Sequence, residues 1–176
     1  VIVIAEAASP FLAPWANFYV MTGSAAAALT GLMFVVITLV TGEERSENLP
    51  DGIATFSTPT VAHFSVALLT SAILNAPWPA LVYPAALLGL AGLGGVVYLA
   101  RVTLKTTLIT VYDPDVEDWV WYSVLPFVAY GAILAGAIGL VFHPGPALFA
   151  VAGGILSLIF IGIRNAWDVV TFLATK

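Results

Sequence analysis

The chain has 176 residues, of which 61% are apolar and only 9% charged, with a net charge of −5 and no cysteine. A soluble domain carries about 25% charged residues, so a water-soluble fold is excluded, and disorder is excluded by the same apolar content. The acidic balance argues against nucleic acid and against a polybasic lipid-binding patch, and the lack of cysteine removes disulfides and thiolate chemistry.

The chain opens Val1-Ile2-Val3-Ile4-Ala5-Glu6, without methionine and without a basic n-region. No secretory signal is expected. Ser9-Pro10-Phe11-Leu12-Ala13-Pro14-Trp15 reads as an interfacial lead-in to the first span.

Charge-free stretches run from Ala7 to Gly42, from Gly52 to Ala100 and from Trp119 to Ile163. A membrane-crossing helix takes roughly 20 apolar residues. The first stretch holds one span, and the second and third hold two each. Asn75-Ala76-Pro77-Trp78-Pro79 and His143-Pro144-Gly145-Pro146 break the latter two, because proline ends a helix. The expected fold is therefore an all-α, single-domain bundle of five transmembrane helices over residues 1–176. The spans are about 18–40, 58–74, 81–104, 120–142 and 147–170.

Local signals refine these spans. Ser57-Thr58-Pro59 predicts an N-cap and a first-turn proline for the second helix. Pro126 predicts a kink or a late start in the fourth. With five spans the two termini lie on opposite sides. Arg45, Arg101, Lys105, Arg164 and Lys176, all five basic residues, then share one side. The positive-inside rule makes that side cytoplasmic and puts the N-terminus outside. Trp15, Tyr19, Trp78 and Tyr83 fall in an outer aromatic belt, and Tyr112, Trp119, Trp121, Tyr122 and Trp167 in an inner one.

Small residues recur at four-residue spacing as Gly23, Ala27 and Gly31 in the first helix and Gly131, Ala135 and Gly139 in the fourth. Such stripes let membrane helices approach closely. They predict packing within the bundle, or an interface with a second copy or a larger membrane complex.

Rise arithmetic sets the depth of the polar groups. Arg101 lies 17 residues after Pro84, and Arg164 lies 17 after Ala147. Both stand roughly 25 Å inward from the outer turns, and Asp168 sits one turn below Arg164. His63 is 12 residues before Asn75, about 18 Å inward, and is the one ionisable residue well inside a span. His63, Arg101, Arg164, Asn165 and Asp168 form a candidate polar layer and gate facing the cytoplasm. The alternative is that the arginines snorkel to headgroups and His63 bonds a neighbouring backbone or hydroxyl group. His143 lies in the outer turn, roughly 18 Å or more from His63, so the two do not hold one haem. No cofactor is expected. Asp113, Asp115, Glu117 and Asp118 form an acidic loop that is a weak candidate for Ca²⁺ or Mg²⁺. It reads more readily as a solvated turn opening the fourth helix.

Nucleophile elbow, zinc-helix and phosphate-loop patterns are missing. The expected function is non-enzymatic: an oligomeric channel or transport protein with an acidic cytoplasmic face. The alternative is an accessory subunit of a larger membrane complex. The first helix, Phe18 to Val35, resembles the opening helix of small uncharacterised bacterial integral membrane proteins with a similar G-S-A-A-A-L-T-G-L-x-F-V run. The resemblance covers that one helix. It implies the bacterial inner membrane and carries no activity or site residue with it.

Overall fold

A computed structural model describes residues 9–43, 52–108 and 116–174. Among them there are five long helices and no strand. Helix α1 is Ala16–Glu43, α2 Gly52–Asn75, α3 Val82–Leu108, α4 Leu125–Gly139 and α5 Pro144–Ala174. The lead-in before α1 is itself helical, with Ser9–Leu12 continuing into a tighter turn, Ala13–Trp15.

Four apolar stretches are long enough to cross a membrane: Pro10–Thr38, Val82–Leu104, Val120–Gly139 and Pro144–Asp168. The apolar part of α2, Pro59–Asn75, is shorter at 17 residues. These helices support a membrane protein. The outward side chains agree, since Leu32, Leu90, Val128, Phe149 and Phe160 are exposed.

The proline-rich breaks act as helix ends. After α2, the Trp78 indole N–H donates to the Ile73 carbonyl (2.6 Å), and the Ala76 N–H donates to the same oxygen (3.3 Å). These bonds satisfy a carbonyl that the helix end leaves without an intrahelical donor. Trp78 then stacks on Tyr83 at the start of α3. The α4–α5 turn is shorter: the His143 N–H donates to Gly139 (2.7 Å), and Pro144 opens α5.

Two local expectations are modified. Ser57-Thr58 does not begin the second helix; α2 starts at Gly52, and Pro59 lies inside it. The missing proline N–H removes one backbone bond, a loss that packed membrane helices tolerate. The fourth span opens with a helical turn, Val116–Trp119, and a π-helical turn, Val120–Val124. There the Leu125 N–H donates to Val120, five residues back. Pro126 follows directly, so the wide turn absorbs its ring where a regular turn would meet a steric clash.

Neighbours in space are not always neighbours in sequence. Helix α1 packs on α2, α2 on α5, α5 on α4 and α4 on α3, whereas α2 and α3 touch only lightly. Two of these contacts, α4–α5 and α3–α4, rest on three glycines. A methyl group at Gly136 would stand 2.9 Å from the Ala147 carbonyl oxygen, and one at Gly154 2.8 Å from that of Ala129. A methyl at Gly92 would stand 2.9 Å from the Leu134 nitrogen. Backbone meets backbone at these points, as small residues permit. The pairings 136 with 147 and 154 with 129 make α4 and α5 antiparallel. Likewise 92 with 134 and 89 with 137 make α3 and α4 antiparallel.

Candidate polar site inside the bundle

Helix α2 carries the polar interior. Thr60, His63, Thr70 and Ser71 are all fully buried, although the surrounding core is apolar. Their spacing of three, seven and one residues keeps them on one broad face, with buried Ala67 between them. Toward the C-terminal end of α2, the Ser71 and Thr22 hydroxyls hydrogen-bond each other (3.0 Å), and Thr22 also donates to the Phe18 carbonyl (2.9 Å). Gly23 makes room for this pair: an added methyl would lie 3.1 Å from Ser71 Cβ.

His63 Nδ1 is 2.8 Å from the Tyr130 hydroxyl of α4, and both residues are buried. Tyr130 is also wedged against α3, where a methyl on Gly95 would overlap its ring. One phenol thus joins α2, α3 and α4. The His63–Tyr130 bond matters in a low-dielectric interior, because a buried polar group without a partner is costly. Sequence reasoning assigned Tyr130 no role. The available signal was a tyrosine in mid-span, away from both aromatic belts and flanked by the small residues Ala129 and Gly131.

Arg164 forms a second centre. Its guanidinium bonds Glu117 (2.8 Å), pairs with Asp168 one turn along α5, and lies over the Trp121 ring at 5.8 Å. These contacts tie the segment preceding α4 to α5. Glu117 is therefore an ion-pair partner. Asp113 and Asp115 lie outside the described residues, as does the Asp118 side chain. Among the described residues, no three His, Cys, Asp or Glu side chains come together to hold a metal.

The five residues of the polar layer thus separate. His63 and Asn165 are buried, while Arg164 and Asp168 are half-buried. Arg101 is exposed on α3, and among the described residues no ion pair reaches it. No hydrogen bond joins His63 to either arginine among the described residues.

The small-residue stripes separate too. Gly23 meets Ser71, and Gly139 meets Ala147, where an added methyl would lie 3.0 Å from the alanine Cβ. Around Gly31 and Gly131 the space is open, and Ala27 and Ala135 are exposed.

No family model, curated protein or solved structure matches this chain. Its chemistry is therefore read from its own side chains.

Proposed function

We propose that this chain is a non-enzymatic channel or transport protein that spans a bacterial inner membrane, works as a homo-oligomer and keeps its N-terminus outside. The observation that carries this reading is the polar face of α2, buried in an otherwise apolar bundle and centred on the His63–Tyr130 bond. Polar residues inside membrane helices are expensive and mark solute or ion pathways. Orientation rests on the basic residues. Helices α3 and α5 are each antiparallel to α4, so Arg101 and Arg164 stand toward the same end. The first-helix resemblance to small bacterial membrane proteins supports the same membrane.

Reconstitution into liposomes tests the activity. Flux above that of empty vesicles, altered by His63→Ala with the fold retained, is the expected result. Wild-type protein that carries nothing at any pH overturns it. Cysteine labelling tests orientation: position 78 should react from outside, and position 115 only after permeabilisation. A second reading is favoured by one observation, the open surface at Ala27 and Gly31 on α1. Under it, the chain is an accessory subunit that docks α1 against a larger membrane complex, and it would co-purify with that complex.

A further inference from the structure

Asn165 is fully buried, yet neither end of its side-chain amide has a hydrogen-bond partner among the described residues. An exchange of the amide oxygen and nitrogen changes nothing, because both are unpartnered. Such a group in a protein interior calls for an explanation. Two ordinary explanations fail on burial. With no exposed surface, Asn165 is out of reach of a lipid headgroup and of a side chain from a second copy. A small molecule that enters the bundle would satisfy it.

The position of Asn165 is defined by its neighbours. It follows Leu158, Ile161 and Gly162 on the buried face of α5. Gly162 is the point where α2 leans in, since a methyl there would overlap the Phe64 ring. Asn165 is one turn beyond that contact on α5, and buried Thr60 is one turn beyond it on α2. The charge nearby is already matched. Arg164, the adjacent residue, is engaged by Glu117 and Asp168. A bare cation needs several oxygen ligands, and Asn165 supplies one carbonyl. An anion needs a cation whose charge is not already paired. A neutral molecule with both a donor and an acceptor fits the amide at both ends.

We infer that Asn165 forms a binding site, at the α2–α5 contact, for a small neutral molecule carrying both a hydrogen-bond donor and an acceptor, either water or a small hydroxyl or amide solute. This rests on the transport reading and narrows it, making the passing species uncharged. The full-length protein in lipid nanodiscs, labelled with ¹⁵N-asparagine, gives a direct test. There are four asparagines, Asn17, Asn48, Asn75 and Asn165, and Asn165→Leu identifies the fourth amide pair by its loss. The expected result is exchange between the Asn165 amide and water, with a saturable shift on adding glycerol or urea and none with sodium chloride. Water exchange without a solute shift identifies water as the occupant and supports the site. An amide that neither exchanges nor shifts, or that shifts with sodium chloride alone, overturns it. Vesicle swelling separates the two proposals. Asn165→Leu should slow glycerol, urea or water entry by about tenfold, the change expected for one lost hydrogen-bonding group. A positive amide result with swelling no faster than in empty vesicles keeps the site and removes the transport reading. Flux indifferent to Asn165→Leu, together with a silent amide, keeps the transport reading and removes the site.

Discussion

Two pairs of small residues, Gly136 and Gly139 on α4 and Ala27 and Gly31 on α1, look alike in composition and end differently in space. On α4, Gly136 and Gly139 lie against α5, with Gly136 facing the Ala147 carbonyl and the Val151 side chain. On α1, Ala27 is exposed and nothing stands close to Gly31. A small residue permits close approach but does not supply the partner. On α4 the partner arrives through a turn of four residues, 140–143, so the hairpin has little choice of neighbour. The first helix packs on α2 and touches α5 only lightly, which leaves its Ala27 and Gly31 face unmatched within the chain.

Substitutions sharpen this contrast. Gly136→Leu should destabilise most, by about 3 kcal/mol, because a side chain there meets backbone that cannot rotate away. The midpoint of thermal unfolding in mild detergent reads this directly, and an unchanged midpoint would mean the α4–α5 contact is looser than described. Gly95→Ala comes next, at about 2 kcal/mol, since one methyl displaces the Tyr130 ring and with it the bond to His63. Its mark should be a combined loss of stability and of the His63 ring environment seen by NMR.

Tyr130→Phe removes only the hydroxyl. A loss of about 1 kcal/mol is expected, because His63 Nδ1 is left buried without this partner. Pairing it with His63→Phe in a double-mutant cycle should give less than the sum of the two single effects; simple additivity would separate the residues energetically. The smallest effect belongs to Gly31→Leu, within about 0.5 kcal/mol for the isolated chain, because the added side chain enters open space. Sedimentation in detergent should instead show a smaller particle if α1 is the subunit interface. A destabilised monomer of unchanged size would erase the difference between the two pairs.

The helices were legible in the sequence because their ends are written chemically. Pro77, Pro79, Pro144 and Pro146 terminate or open helices for reasons local to the backbone. Which helix lies beside which was not legible. The short 76–81 turn suggests that α2 and α3 pair, whereas α2 packs on α5. The polar layer shows the same limit. Rise per residue gives height along a helix but not direction around it. Arg101 and Arg164 were placed at equal depth, yet Arg101 points outward while Arg164 is held by two carboxylates. His63 stood out because ionisable groups inside a span are rare. Tyr130 did not, because a tyrosine in an apolar helix passes for core until a histidine is found beside it.

The π-turn at Val120–Val124 holds one residue more than a regular turn. Its five residues cover about the same angle as four in a regular α-helix, so the extra residue is absorbed on the spot and the segments on either side keep their facing. Glu117, before the turn, can therefore meet Arg164. Deleting one residue within 120–124 should leave that ion pair in place and return the Pro126 ring to a regular turn, whereas deleting one residue from the regular helix after Pro126 should rotate everything before it by about 100°. The wide turn thus works as slack in the winding, taken up where the proline needs it.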